Sequence, residues 1–392
     1  MKSSKHVVIA VKTTEGGMWI IPQVLEAVAR GHRVTVVTPA GTGRLVREVD
    51  RLSEESDLIR HVASPFDFSF GNPGRAVRGL RALRRLIQDL APDVVLYHLF
   101  ATALAIRFAS LGLGVRRVHM IAGPLYLDSP VIRAVEAILW RLDDVIVCGS
   151  WYTRHRYEAL GASIRRMDVI PYGVDTERFS PDFALSPIAA RKEFGIPADA
   201  FVAVMVAYVY APKSLVHRGE GIKGHRFLLD AWTAFHQDHP HSRLLLVGGG
   251  FGPEGSAYRT QLIEAVGGIR GLQKDGVIWV DSVDDVRSAY QAADVSVSPS
   301  LSENHGAALE ASAMAVPSIV SDAGALPETV SGASGWVCRS GSADELRSAL
   351  ANAHAAWRAG DLSEMGKAAR SSMLTDFDVR KSASRVIDRL DA

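Results

Sequence analysis

Pro299-Ser300-Leu301-Ser302-Glu303-Asn304-His305-Gly306-Ala307-Ala308-Leu309-Glu310 is the stretch on which the reading of this chain turns. It follows the short apolar run Val295–Ser298, which has the make-up of a buried strand, and it runs directly into helix-period sequence. A strand that ends in a polar, glycine-containing loop and then opens a helix offers free backbone N–H groups and a positive helix end. Together these suit an anion such as a diphosphate. Glu303 and Glu310 flank the loop, and carboxylates suit hydroxyl recognition because they accept hydrogen bonds from a sugar or ribose. Taken alone, the same features equally fit a plain helix start with acidic residues near its dipole.

Working outward, the chain repeats one grammar of apolar run, Gly/Pro-marked loop and helical segment. Val7–Val11 precedes the Glu15-Gly16-Gly17 loop and a helix near Ile20–Arg30; Val34–Thr38 is the next strand. A helix from about Arg75 to Leu90 leads to Val94–Tyr97, and Arg117–Ile121 and Asp144–Cys148 follow. The rhythm breaks at Val169-Ile170-Pro171-Tyr172-Gly173-Val174-Asp175, and Pro/Ser-rich sequence continues to Pro187, which reads as a linker. It restarts with Phe201–Ala207, Leu244–Val247, Val277–Val280, Val295–Ser298 and Ser318–Ser321, and a last helix covers roughly Val379–Leu390. Such alternation predicts parallel βαβ units, whose ligands bind in loops after the carboxyl ends of the strands.

The bulk numbers are compatible with this. At 392 residues and 47% hydrophobic, the chain suits two α/β domains, and its net charge of +1 gives no global reason to expect nucleic acid. Two distant cysteines, Cys148 and Cys338, exclude a disulfide framework and have no metal-ligand spacing, which fits a reducing cytoplasm. Val7–Val11 is too short for a signal-peptide core, and no stretch reaches 18 apolar residues. No Asp-x-Asp element stands out as a metal clamp; Asp143-Asp144 and Asp284-Asp285 read as helix-end or surface acids.

The order of motifs resembles the retaining nucleotide-sugar glycosyltransferases of family 4, which have the GT-B fold: two Rossmann-like α/β domains facing across a cleft, each with a parallel sheet. The family's glutamate–glycine loop and Glu-Ala helix are matched by Glu303-Asn304-His305-Gly306 and Glu310-Ala311-Ser312-Ala313-Met314-Ala315, and its next loop by Ala323-Gly324-Ala325-Leu326-Pro327-Glu328. Val169 to Phe179 is similar to its interdomain motif, and Gly31-His32-Arg33-Val34-Thr35-Val36-Val37 to its second strand. The resemblance implies an acceptor-binding domain over 1–178, completed by a returning helix over 377–392, and a nucleotide-sugar domain over 179–376.

The same resemblance implies site roles. Glu303 would face the transferred sugar, Glu310 the ribose hydroxyls, and the backbone from Asn304 through His305 and Gly306 to Ala307 the sugar and phosphates. Lys223 would neutralise the diphosphate, Gly16 and Gly17 would approach from the first domain, and Val280 to Val283 would meet the nucleobase. No metal or further cofactor is implied. The implied reaction moves a hexose or N-acetylhexosamine from a nucleotide-sugar, UDP-GlcNAc or UDP-glucose, to a small-molecule hydroxyl. The Ser-Glu-Asn-His-Gly loop looks most like bacterial natural-product enzymes that glycosylate aminocyclitols in antibiotic biosynthesis. Cell-envelope glycan or lipid transfer from GDP-mannose or a UDP-sugar stays open, as do a sugar-nucleotide-binding protein and a pseudo-glycosyltransferase.

Three departures accompany the match. Glu303 and Glu310 are separated by six residues where the family has seven. The family's phosphate-binding arginine is replaced by Val206-Ala207-Tyr208-Val209, with Lys213 or Arg218 as candidate substitutes. The family's first-domain histidine aligns with Ala122, leaving His119 as the candidate catalytic histidine, although strand alternation turns it to the other face. His305 reads either as a sugar contact or as a loop histidine bound to backbone. Gly248-Gly249-Gly250-Phe251-Gly252 reads as a nucleotide contact or a flexible connection. The arginines at 75, 78, 81, 84 and 85 read as a solvated helix face in preference to a membrane-surface contact. Trp19, Tyr126 and Trp151 are acceptor-pocket or core candidates. A dinucleotide dehydrogenase is disfavoured because the first loop lacks Gly-x-Gly-x-x-Gly.

Overall fold

Apolar, β-branched runs pair in parallel throughout both halves of the chain. A computed structural model describes residues 4–183, 185–213, 219–266 and 274–392. It divides into two compact units, one formed by Met1–Tyr172 with Val379–Ala392, the other by Gly173–Asp378.

The first unit carries β1 (His6–Val11), β2 (Arg33–Pro39), β3 (Ile59–Ser64), β4 (Val94–His98), β5 (Arg116–Ile121), β6 (Val145–Cys148) and β7 (Met167–Val169). They form one parallel sheet in the order β3-β2-β1-β4-β5-β6-β7. The second unit carries β8 (Phe201–Val206), β9 (Ser242–Val247), β10 (Val277–Val280), β11 (Val295–Ser298), β12 (Ser318–Ser321) and β13 (Gly335–Cys338), in the order β10-β9-β8-β11-β12-β13. These are two Rossmann-like α/β units. Cys148 and Cys338 are both free and buried. No helix among the described residues is long and apolar enough to cross a membrane.

The structure sets the junction at Tyr172/Gly173, earlier than the 178 read from the interdomain motif. The reason is local. Val174 donates its N–H to Phe377 at 2.7 Å, Thr176 bonds Asp378, and Val174 and Phe179 are buried in a core of the second unit. The last helix, Val379–Asp391, buries Val386, Ile387 and Leu390 in the core of the first. Arg30 holds it from the side, with one guanidinium nitrogen 2.6 Å from Asp388 and another 2.9 Å from the Ser384 carbonyl oxygen.

Beneath the first sheet lies a charge network that the sequence does not announce. Arg107, on the helix Phe100–Ala109, is fully buried and forks onto Glu136 (2.7 and 2.8 Å) and Asp143 (2.9 and 2.6 Å). Tyr97 also bonds Asp143, and Tyr157 donates to Glu136 at 2.7 Å. Burial alone would lower the Arg107 pKa, but the two carboxylates outweigh it and hold the guanidinium above its usual range. Burial likewise pushes the Asp143 carboxyl up, yet Arg107 overrides it and draws the pKa down to about 2. Asp143 is therefore no surface acid, whereas Asp144 beside it is exposed and Asp285 lies at the surface paired with Arg287.

Glu136 also explains an inverted helix. Pro130–Leu139 turns this glutamate inward to Arg107, and Val131, Val135 and Ile138 consequently face outward, 71, 42 and 68% exposed.

Removing one partner of a buried ion pair strands the other without solvent or counter-charge. Arg107→Met is expected to destabilise the first unit by about 3–5 kcal/mol in urea unfolding. A loss below about 1 kcal/mol, the size of a surface pair, would show that the network contributes little.

Candidate functional site

In an open parallel sheet, the crevice for a ligand opens where the strand order reverses, at the carboxyl edge. In the second unit that point lies between β8 and β11, because β9 and β10 are laid down on one side of β8 and β11 to β13 on the other. Lys223 lies in the connection after β8, and Glu303 follows β11. The two connections are stitched together by Leu301 N–H donating to the Ile222 carbonyl oxygen at 2.8 Å, which brings the Lys223 ammonium onto the Glu303 carboxylate.

The glutamate loop is fixed from its other side as well. Ala325 N–H donates to the Glu303 carbonyl oxygen at 3.1 Å, and Ser321 Oγ to that of Ser300 at 2.6 Å. Gly324 lies so close that a Cβ there would collide with the Glu303 carbonyl oxygen. The second Glu303 oxygen accepts from Asn304 N–H at 3.1 Å, closing the loop on itself. Gly306 and Ala307 then open the helix Ala307–Ala313, which has no side-chain cap, so its first amides are left available.

Glu310 projects from that helix and accepts from the buried Tyr290 hydroxyl at 3.1 Å. Burial raises its pKa, while the Tyr290 hydrogen bond and the charge of Arg178 pull it back. A carboxyl set back in this way, with one donor beside it, keeps acceptor capacity for hydroxyl groups.

His305 does not reach outward from the loop. It is buried edge-on against Phe377 (ring centroids 5.1 Å apart), with Nε2 3.8 Å from Glu328 Oε2 and no hydrogen bond to backbone. Val283, after β10, is 42% exposed and so remains accessible. Lys213 lies in the β8 connection, and Arg218 falls outside the described residues. The Gly248–Gly252 run is not a loose connection. Val209 N–H donates to Gly249 O and Phe251 N–H to Val209 O, both at 2.9 Å, locking it to the chain leaving β8.

Sequence reasoning passed over Arg259, which donates to the carbonyl oxygens of Gly248 (3.2 Å) and Val280 (3.4 Å) and lies over the Trp279 ring. An arginine on an ordinary helix gives no local sign of that role.

In the first unit the reversal lies between β1 and β4. Gly17 follows β1 at φ 90°, a conformation that favours glycine, with Leu45 and Thr13 packed where a Cβ would go. Trp19 follows and meets His98, the last residue of β4, edge to face at 4.8 Å. His98 Nδ1 bonds the Tyr172 hydroxyl at 2.9 Å, and burial depresses its pKa to about 3, so it stays neutral. His119 is the wrong histidine for this edge. It lies inside β5, stacked on Tyr97 with Nδ1 3.4 Å from Asp143 Oδ2, and belongs to the buried charge network. Tyr126 stacks on Phe100 and bonds Tyr157, while Trp151 is exposed beneath Arg154.

Comparisons with known proteins agree with this geometry. Residues 24–178 match the family model described as Glycosyltransferase Family 4, and residues 213–355 that described as Glycosyl transferases group 1. The glycogen synthase of Mycobacterium tuberculosis is 28% identical over 386 residues, which span 89% of this chain and 84% of that one. A GDP-mannose-dependent alpha-(1-6)-phosphatidylinositol monomannoside mannosyltransferase of Mycolicibacterium smegmatis is 26% identical, over 92% of this chain and 91% of that one. Anabaena HepE, solved in complex with UDP and glucose, superposes with a TM-score of 0.78 at 16% identity, covering 99% of this chain and 100% of that one. With the two glycosyltransferase family models matched in turn along the chain and the fold shared along its whole length, the chain is a glycosyltransferase with the GT-B fold.

Proposed function

We propose that the enzyme transfers a hexose or N-acetylhexosamine from UDP-glucose or UDP-GlcNAc to a hydroxyl of a small-molecule acceptor, with retention at the anomeric carbon. The observation that carries this reading is the Lys223–Glu303 pair at the switch point of the second sheet, with Glu310 behind it. A nucleotide diphosphate carries more negative charge than one carboxylate and is the stronger counter-ion for Lys223. Its arrival releases Glu303 to accept hydrogen bonds from the sugar, while Glu310 accepts from the ribose. The bond from the anomeric carbon to the leaving phosphate oxygen breaks as the acceptor oxygen bonds to that carbon from the same face. The acceptor's proton passes to the phosphate oxygen. Lys223 and the amides of residues 304–307 stabilise the charge that develops on the leaving group, and the reading calls on no metal ion.

A UDP donor is supported by the UDP and glucose held by Anabaena HepE. The mycolicibacterial relative favours a second reading, transfer of mannose from GDP-mannose to an envelope acceptor. For the acceptor we keep the class, a hydroxyl-bearing small molecule, of which an aminocyclitol is the narrowest form.

Titration with UDP, GDP, UDP-glucose, UDP-GlcNAc and GDP-mannose without added metal tests the donor. A ligand at 100 times its Kd stabilises the native state by about 2.7 kcal/mol. The expected result is a thermal shift selective for one base and one sugar, weakened in Lys223→Ala and Glu310→Ala. No shift with any nucleotide would sink the reading. Glu303→Gln is expected to lower kcat about 100-fold or more, the size of losing one stabilising group at the reacting centre.

Glu310 also fixes a pH dependence. Its folded pKa is raised above the ordinary 4.5, so between 4.5 and the raised value the folded state binds more protons than the unfolded chain. Stability therefore falls as pH rises through that window. In thermal melts Glu310→Gln should match the wild type below pH 4.5 and gain on it above, levelling off once the wild-type carboxylate is ionised. Parallel curves would mean that the carboxyl titrates normally.

A further inference from the structure

Val206-Ala207-Tyr208-Val209 occupies the place of the family's phosphate-binding arginine, and the structure gives that place a different surface. Tyr208 and Phe251 are 51 and 58% exposed, large for aromatic rings, at the carboxyl ends of the adjacent strands β8 and β9. Tyr210 stacks on Phe251 with centroids 4.7 Å apart and planes 26° apart, and Tyr208 stands at 70° to Phe251 at 6.1 Å. Their backbones are held rigidly. Besides the two Val209 hydrogen bonds, a Cβ at Gly248 would collide with the Ala207 carbonyl oxygen and one at Gly255 with that of Val209. The cluster also borders the charged pair. A Cβ at Gly221, two residues before Lys223, would press on the Tyr210 carbonyl oxygen.

Exposed aromatic faces fixed by backbone contacts suit a ligand with an apolar face, because the negative ring face attracts polarised C–H groups. Phe251 gives one side to Tyr210, so the two exposed rings meet as the walls of a corner. A flat base needs a parallel face or slot; a puckered pyranose, with C–H groups on its face and hydroxyls on its rim, fits a corner. We propose that Tyr208, Tyr210 and Phe251 form a platform that packs the C–H face of a pyranose, its hydroxyls turned to Lys223 and Glu303. This rests on the glycosyl-transfer reading of that site. The pyranose belongs either to the donor or to a saccharide acceptor.

The test is calorimetric titration of the full chain with UDP, with UDP-glucose, and with maltoheptaose, alone and with saturating UDP. Wild type is compared with Tyr208→Ala, Phe251→Ala and Tyr208→Phe, all checked for an unchanged melting temperature. Wild type should bind UDP-glucose more tightly than UDP, or bind maltoheptaose. The alanine variants should weaken that binding about 3- to 10-fold, in line with one aromatic contact, and leave UDP unchanged, while Tyr208→Phe should keep wild-type affinity. Loss confined to UDP-glucose assigns the platform to the donor sugar, and loss confined to maltoheptaose assigns it to the acceptor. Equal affinities in wild type and variants would overturn the platform, and so would a loss for UDP as large as that for UDP-glucose. If wild type binds UDP but shows no preference for UDP-glucose and no maltoheptaose binding, the platform fails and the donor reading stands. If wild type does not bind UDP, the donor reading fails and maltoheptaose alone decides the platform.

Discussion

Parallel pairing is the constraint on which the rest of this structure depends. Every strand in both sheets runs the same way as its neighbours, so each must be followed by a crossover before the next begins, and the turns that start those crossovers gather at one edge. Gly17 and His98 occupy that edge in the first unit; Tyr208, Lys223, Phe251, Val283, Glu303 and Gly324 occupy it in the second. The strand order then selects among them. Only where it reverses do two adjacent connections part, and this is why Lys223 and Glu303 meet although 80 residues separate them.

The strands most legible in the sequence are those with apolar surroundings on both faces, although the edge strand β10 was also read, from its unbroken run Val277–Val280. Val7–Val11, Val94–Tyr97 and Phe201–Ala207 lie inside their sheets and read as unbroken apolar runs. β3, β7 and β13 escaped the sequence reading, and all three are edge strands. Ile59-Arg60-His61-Val62-Ala63-Ser64 buries little beyond its ends, and Gly335-Trp336-Val337-Cys338 leaves Val337 half exposed. An edge strand has one neighbour to satisfy and mixed surroundings, so its sequence need carry no strand signal.

The loop proposed as the site stands out in the sequence for a different reason: backbone approach and charge pairing require particular residue types. Glu303, Gly306 and Glu310 could be picked out because their spacing answers to one strand–loop–helix geometry, whereas Lys223 was singled out only by its resemblance to the family's lysine. His119 and Asp143 misled because nothing local distinguishes a buried polar side chain from an exposed one. Each acquires its character from Arg107, 12 and 36 residues away, and Arg107 in turn looks like any basic residue near a helix end. The same blindness hid the outward face of Pro130–Leu139. Its apolar residues suggest a core, but Glu136 takes the inward face because the buried Arg107 guanidinium needs its carboxylate, and Val131, Val135 and Ile138 are left outside.

Net charge conceals a difference between the two units, through averaging. The total of +1 combines a first unit with 27 Lys and Arg against 18 Asp and Glu, and a second with 17 against 25. The unit that holds the proposed diphosphate site is therefore the acidic one. Its overall field opposes an anion, so binding there must rest on short-range features: one lysine, uncapped loop amides and the geometry that aims them. Those act over a few ångströms at partly buried positions, where salt screens them little, whereas the surface charges of the unit are screened within about 8 Å at physiological ionic strength. At the proposed diphosphate site, anion recognition would thus depend on where the backbone turns and on Lys223, against the sign of the surrounding surface.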